Sequence, residues 1–332
     1  MGLAAIAAEA EEPNWAVKLT SDEVRLACRY APIELNGFPS WLDSLAQAHP
    51  ADVDSVLGVE LSQELLETAE SRSGGWLLRN ISHASEGLVT LFVPRIRNWL
   101  DEHGDRIGRN ENVAEAVDRL NTVIDILLKE PDAKTIETLR ENALDRLRVG
   151  LDAPVAKVWL RVLMKLDPEA GTSALEGGLN RWAPAKDGPA VDWIGSLFGD
   201  RHSQQSISVR HPNFTPQLLL RLVRASYRHV RVTDDVHHEG AYSPNSRDHA
   251  ENGRNVLLGA ILDAKGPEGW AAKLELAEDP NFAHMRDRVL TIASERAAQD
   301  ADGSPMDARA RGLLSNVSGR RRPGRAMTCF RS

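Results

Sequence analysis

The stretch that decides the fold is Pro216-Gln-Leu-Leu-Leu-Arg-Leu-Val-Arg-Ala-Ser-Tyr-Arg-His-Val-Arg231. Its apolar side chains recur at steps of three and four residues, which is the period of one face of an α-helix. These positions are Leu218, Leu219, Leu222, Val223, Tyr227 and Val230. The stretch therefore predicts an amphipathic helix that buries one face and exposes the other.

The same helical spacing extends over most of the chain, for example in the stretches that begin at Val113, Val155 and Val256. No pair of alternating β-branched runs is joined by an Asn-Gly or Asp-Gly turn, so β-hairpins are not expected. Residues 207–209 are the best strand candidate, and they are too few to build a sheet. The sequence thus predicts an all-α fold. The predicted helices cover residues 52–69, 85–103, 112–130, 134–149, 153–167, 214–230, 248–264 and 282–299, and the predicted breaks are 182–191, 199–213 and 231–250.

Proline marks the ends of several predicted helices. In four places an apolar stretch is followed by a polar residue and then by proline, at Pro50, Pro131, Pro168 and Pro280. Because proline lacks the backbone N–H and restricts the residue before it, it ends one helix and begins the next. The gaps between these prolines correspond to two, one and three units of about 37 to 40 residues, close to HEAT and armadillo repeats. Residues 1–302 are therefore predicted to form an α-solenoid of HEAT/armadillo-like helix pairs. A compact, non-repetitive helical domain is the alternative.

The overall composition excludes several classes of protein. Of the 332 residues, 42% are hydrophobic and 27% are charged, which suits a packed core and rules out wholesale disorder. The net charge of −8 argues against broad binding to nucleic acid or anionic membranes, although a local basic patch remains compatible with it. The two cysteines, Cys28 and Cys329, are too few for a disulfide framework or an all-cysteine zinc site. Neither a signal peptide nor a long apolar segment is present, so we expect a cytoplasmic protein that does not bind membranes.

The end of the chain differs in composition from the rest. Residues 304–332 contain seven arginines, no lysine and one acid, and removing their charge of +6 from −8 leaves −14 for residues 1–303. We expect residues 303–332 to be a basic tail that is either disordered or translated out of frame. Since no polar capping unit is recognisable, residues 1–302 are expected to be a fragment that is open at both ends.

Four arginines in the opening stretch are candidate partner-binding residues. Arg221, Arg224, Arg228 and Arg231 are separated by three, four and three residues, which places them along one stripe of a helix. Such a stripe suits phosphate groups or an acidic peptide. A solvated face whose arginines pair with neighbouring acids is the alternative interpretation.

The polar segment 229–251 is a second candidate, because it is rich in histidine and acidic residues. Imidazole and carboxylate groups are common ligands of zinc and iron, so the segment contains weak candidates for metal ligands. These are His237, His238, Asp234 and Glu239, accompanied by His229, Asp235, Asp248, His249 and Glu251. Their spacing matches no known metal motif, and a polar connection between helix pairs is the alternative. We therefore predict neither a metal nor a cofactor.

Motifs for nucleophilic or phosphate chemistry are missing from the sequence. Cys28 has no histidine nearby in the sequence, and neither Ser206 nor Ser208 lies in a Gly-x-Ser-x-Gly elbow. No Gly-x-x-x-x-Gly-Lys-Ser/Thr loop occurs that would hold phosphate groups. A binding protein is therefore more strongly expected than an enzyme.

Several segments resemble one region of a known protein family. Four segments are similar to the α-helical repeats of large bacterial STAND or NACHT-type ATP-binding proteins. They are residues 25–41, which begin Arg-Leu-Ala-Cys-Arg-Tyr, and residues 246–258, 269–280 and 285–288. Many members of that family are implicated in antiphage defence. The resemblance covers roughly residues 1–300 and includes neither the NTPase nor a nuclease domain.

The resemblance implies a non-catalytic interaction or sensor scaffold. Its partner would be another protein or the NTPase module of the parent chain, and nucleic acid is possible but not favoured. The alternative function is a metal-dependent or nucleic-acid-acting enzyme that uses segment 229–251.

Overall fold

The structure of the protein is a computed structural model that describes residues 2–34, 36–66, 76–104, 107, 112–129, 131–203 and 205–302. Within these residues every regular element is a helix, so the predicted all-α class is confirmed. Residues 207–209, the best strand candidate in the sequence, form no strand. No helix in the described ranges combines the length and the apolar character needed to cross a membrane. The predicted tail, residues 303–332, lies outside the described residues.

The chain divides into two compact units, and the first comprises Met1–Gly171. Its helices are α1 (Leu3–Glu9), α2 (Trp15–Lys18), α3 (Ser21–Cys28), α4 (Trp41–Ala48), α5 (Pro50–Val53), α6 (Val59–Leu66), α7 (Trp76–Ser82), α8 (Glu86–His103), α9 (Val113–Leu127), α10 (Ala133–Val149) and α11 (Ala156–Leu166). A π-helical turn, Asp54–Gly58, joins α5 to α6. Several pairs of consecutive helices pack on each other, most extensively α10 on α11, and other contacts join helices that are not consecutive, such as α4 with α8 and α7 with α9.

The second unit begins at Thr172, inside helix α12 (Pro168–Leu179). Its further helices are α13 (Pro189–Ile194), α14 (Pro216–His229), α15 (Ser246–Asp263), α16 (Gly266–Glu278) and α17 (Arg286–Asp302). A π-helical turn, Gly195–Gly199, continues α13, and a 3₁₀ segment, Pro280–Met285, precedes α17. Helix α15 is the central element of this unit, since it packs against α13, the π-helical turn, α14, α16 and α17.

Two of the predicted proline junctions share one geometry. His49 and Asp167 precede Pro50 and Pro168 and have φ,ψ angles of −136°, 56° and −143°, 80°. The His49 N–H donates to the carbonyl oxygen of Leu45, and the Asp167 N–H donates to that of Leu163, both at 2.7 Å. Proline then begins the next helix, where a missing N–H costs no helical hydrogen bond. Pro280 instead begins a 3₁₀ segment, and Pro131 lies two residues before α10.

The long predicted helices agree with the structure within a few residues, and two predicted breaks need correction. The break at 182–191 ends early because Pro189 begins α13, and the break at 231–250 ends early because α15 begins at Ser246. The end of the predicted helix 52–69 falls partly outside the described residues. Five of the scattered tryptophans are buried in the core, as expected for packing residues: Trp15, Trp41, Trp99, Trp159 and Trp193. The grouping of residues 1–302 into one repeat region stays a prediction.

Candidate functional site

The arginine stripe lies on α14 in the second unit. The helix begins after Thr215, whose side-chain oxygen accepts a hydrogen bond from the Leu218 N–H at 3.3 Å, and Pro216 occupies its first position. The leucines and Val223 of α14 are buried. The buried apolar face fixes the orientation of α14 against the core. The arginines lie between the apolar residues in the sequence, so the more polar side of the helix carries their guanidinium groups.

Two arginines of the stripe are bound by acidic residues of the same unit. Arg221 donates to Glu176 at 2.6 Å. Arg224 donates to Glu275 at 2.8 Å and to Asp279 at 2.9 Å. For these two positions the structure supports the alternative interpretation, in which the arginines pair with neighbouring acids and hold helices together.

Arg228 and Arg231 are more exposed and less fully bound. Arg231 donates through Nε to Asp234 at 2.8 Å. Arg228 donates through Nη1 to the amide oxygen of Asn180 at 3.1 Å. Within the described part of the chain no carboxylate lies within ion-pair distance of Arg228, so its positive charge is oriented by a neutral group and is not compensated.

Three of these arginines line one cavity of about 770 Å³, which we call the arginine cavity. Arg224, Arg228 and Arg231 contribute its basic wall, and Tyr227, backed by the buried Phe282, contributes an aromatic wall. The two rings lie with their centroids 4.6 Å apart. Burial raises the pKa of Tyr227, so its hydroxyl stays neutral at physiological pH. The cavity thus offers positive charge beside an uncharged aromatic surface.

The connecting segment, residues 231–245, is held onto α15 through Asp235. Arg247 and Arg254 of α15 are each only 3% exposed. Arg254 donates to Asp235 at 2.5 and 3.1 Å, and Arg247 donates to it at 3.0 Å. Both guanidinium groups also donate to backbone carbonyls, including that of Val230. One carboxylate therefore joins two buried cations to the segment.

A second cavity of about 560 Å³, the histidine cavity, is lined by residues of the same segment and by α15. His202, His237, His238 and His249 all face it. It lies beside the π-helical turn, whose Gly199 carbonyl accepts a hydrogen bond from the Asn252 side chain at 2.6 Å. The predicted candidates His237 and His238 are thus brought into one cavity together with two histidines from outside the connecting segment.

His238 is the most firmly positioned histidine of this cavity. Its Nε2 lies 2.7 Å from an oxygen of Asp248, and its ring stacks on Tyr242 with the centroids 3.6 Å apart. The Asn245 N–H donates to the other oxygen of Asp248 at 2.8 Å. Burial acts to raise the pKa of Asp248, but the hydrogen bonds from Asn245 and His238 outweigh it and lower the pKa. The pair therefore places an oriented imidazole at the cavity.

The candidate metal ligands do not form a metal site in the described ranges, where no three His, Cys, Asp or Glu side chains are placed to hold an ion. Asp234 pairs with Arg231, and Asp235 binds the two buried arginines. Glu239 is not among the residues that line the histidine cavity. His229 is buried in α14, and burial lowers its pKa, so that it stays neutral.

The sequence interpretation missed Arg247, Arg254 and Asn180, which organise these surfaces. A signal was present for Arg254, because it lies four residues after Ala250 and three before Leu257, on the apolar face of α15. A charged residue on such a face requires a buried partner. Asn180 carried no comparable signal.

No protein-family model matches the chain, and comparisons with curated proteins and with solved structures found no match. The resemblance to the helical repeats of STAND and NACHT-type proteins therefore stays a prediction.

Proposed function

We propose that the chain is a non-catalytic interaction scaffold that binds a protein partner through the arginine cavity. The observation that supports this most directly is Arg228, an exposed guanidinium that is oriented by Asn180 and lacks a carboxylate partner in the described residues. An uncompensated, oriented arginine beside an aromatic surface suits an anionic group of a partner, because charge-assisted hydrogen bonds are stronger than neutral ones.

The helix pairs are proposed to be repeats of a HEAT/armadillo-like solenoid. Support comes from the matching junctions at His49–Pro50 and Asp167–Pro168 and from the packing of consecutive helices, such as α10 on α11 and α16 on α17. Stacked helix pairs of this kind present extended surfaces to binding partners. The setting we propose is the bacterial cytoplasm, in a STAND or NACHT-type protein of antiphage defence. The partner is then a separate protein or the NTPase module of the parent chain.

The test compares three forms of the full chain as bait in extracts of the cells that produce it. These are the wild type, the double variant Arg228→Glu/Arg231→Glu, and the control Arg210→Glu, which reverses an exposed arginine outside the cavity. We expect one protein to be retained by the wild type and the control and lost from the double variant. That protein, once purified, must bind the wild type and Arg210→Glu more tightly than it binds the double variant. Equal binding to all three forms would contradict the proposal.

The His238–Asp248 pair favours a second candidate function, an enzyme that uses segment 229–251. A carboxylate that orients an imidazole is an arrangement used in general base catalysis. The purified chain is therefore assayed for ATP hydrolysis and for cleavage of DNA, with and without added divalent metal ions. An activity that is lost in His238→Ala and kept in Arg228→Glu would replace the scaffold proposal. Equal background rates in all forms would count against the enzyme.

A further inference from the structure

We infer that the arginine cavity recognises an acidic peptide in which an aspartate or glutamate lies beside an aromatic or large aliphatic side chain. This inference rests on the proposed function and adds the chemistry of the ligand. Three observations carry it: the charge of the cavity against that of the whole chain, the unused N–H groups of two arginines, and the apolar surface beside them.

The charge of the cavity is opposite to that of the chain around it. Of the three arginines at the cavity, Arg224 is paired with Glu275 and Asp279, and Arg231 is paired with Asp234. The uncompensated positive charge of the cavity is therefore that of Arg228, whereas residues 1–303 carry a net charge of −14. A long polyanion such as duplex DNA extends beyond the cavity and meets the rest of a chain with this net negative charge. A short acidic segment meets only the basic cavity, because charges farther away than about 10 Å are screened by salt. The charge distribution therefore favours a peptide over nucleic acid.

Arg228 and Arg231 retain N–H groups for a ligand. A guanidinium has five N–H donors. Arg228 uses Nη1 for Asn180, and Arg231 uses Nε for Asp234. No other acceptor for these two side chains occurs among the residues that the structure describes. The remaining N–H groups suit a carboxylate, which can accept two parallel hydrogen bonds from one arginine.

The ligand also needs an apolar group, because part of the cavity wall is apolar. Val232 is 48% exposed at this wall, although its neighbours in the connecting segment are polar. Tyr227 continues the same surface, and the buried Phe282 ring, which is 1% exposed, packs against it. An aromatic or aliphatic side chain placed here gains from burial and from edge or stacking contacts with the Tyr227 ring. The volume of about 770 Å³ is sufficient for two or three peptide side chains.

Asn180 is a positioning residue in this arrangement. It fixes Arg228 without neutralising it, since an amide oxygen accepts a hydrogen bond but carries no net charge. The substitution Asn180→Asp keeps the size of the side chain and places a carboxylate beside Arg228. That carboxylate competes with the ligand, so the variant is expected to fold normally and to bind acidic peptide at least about tenfold more weakly.

The experiment measures fluorescence anisotropy of a labelled synthetic peptide, with the core Asp-Glu-Phe-Glu, on the full chain. We expect binding by the wild type and by Arg210→Glu, and weaker binding by Asn180→Asp and Arg228→Glu. Circular dichroism checks that each variant is folded. The peptide with Asn-Gln-Phe-Gln, and the peptide with serine in place of phenylalanine, are expected to bind at least about tenfold more weakly than the parent.

Four results would overturn the inference: equal binding by the wild type and Asn180→Asp, equal binding of the amide peptide, tighter binding of a phosphoserine peptide, or tighter binding of duplex DNA. The last two would assign the cavity to phosphate. A natural partner that depends on Arg228 while the acidic peptide does not bind would leave the scaffold proposal standing and reject the ligand chemistry. If neither the partner nor the peptide depends on Arg228, both proposals fail.

Discussion

Replacing Asp235 with alanine tests whether a single carboxylate holds the connecting segment onto α15. Arg247 and Arg254, both almost fully buried, donate to this carboxylate from one helix. The adjacent Asp234 provides a matched control, because it pairs with Arg231, whose side chain is 49% exposed. The two substitutions remove the same group from neighbouring positions and differ in the burial of the partner.

The expected loss follows from this difference in burial. Removing one member of a buried ion pair costs about 3–5 kcal/mol, because the other charge stays buried without compensation. Arg247 and Arg254 keep hydrogen bonds to backbone carbonyls, so we expect the lower end, about 3 kcal/mol, for Asp235→Ala. Loss of an exposed pair costs about 0–1 kcal/mol, which is the value expected for Asp234→Ala.

The free energy of unfolding is measured in urea by circular dichroism and tryptophan fluorescence. Because the two units need not unfold together, hydrogen exchange of the amides of α14 and α15 measures the local effect. Replacing Arg254 with methionine in the Asp235→Ala protein should restore part of the stability, since it removes one uncompensated charge. A loss for Asp235→Ala no larger than that for Asp234→Ala would refute the reasoning.

Three further predictions concern single positions. In Gly199→Ala the new methyl group would overlap the carbonyl oxygen of His249, so we expect the free energy of unfolding in urea to fall by about 3 kcal/mol. The control Gly177→Ala has no atom within 4 Å of the new methyl group and should raise the free energy of unfolding by about 0.5–1 kcal/mol. Burial raises the pKa of Cys28 to about 12 from 9.0. In a variant without the other cysteine, the native thiol should resist iodoacetamide, and stability should fall as the pH rises above 9.0, where only the unfolded thiol ionises; rapid native labelling would contradict this. Asp248→Asn should cost about 1 kcal/mol at neutral pH, because it removes the negative charge that strengthens the hydrogen bond from the Asn245 N–H at the start of α15 and the contact with His238. Because the folded state lowers the pKa of Asp248, the wild type loses this advantage as the pH falls below about 4, so the two proteins should converge in acid unfolding.

The helices that the sequence predicts well are those with a long apolar period. Helix α14 was predicted at 214–230 and occupies Pro216–His229, because its leucines specify the buried face locally. The first residues of α13 fell in the predicted break at 182–191, because Pro184, Gly188 and Pro189 are typical of a turn. After α13, Gly195 and Gly199 allow the π-helical turn to approach the backbone of α15, and that requirement comes from a distant part of the chain.

The candidate site shows the same division between local and distant information. The arginine stripe on α14 follows from residue spacing alone, but the partners Glu176, Asn180 and Glu275 lie 45 to 51 residues away in the sequence. Periodicity cannot specify such pairs. It does place Arg254 on the apolar face of α15, which predicts a buried counter-charge without identifying which acid of segment 229–251 supplies it.

The anchoring of Asp235 bears on how this surface changes over evolutionary time. Residues 231–233 line the arginine cavity and residues 236–238 line the histidine cavity, with the anchored aspartate between them. The anchor uses α15 and the backbone of the segment, and it does not use the side chains that face either cavity. Substitutions on one side of Asp235 can therefore alter one cavity without displacing the other. The residues that line the two cavities are free to diverge independently while the segment that carries both keeps its path.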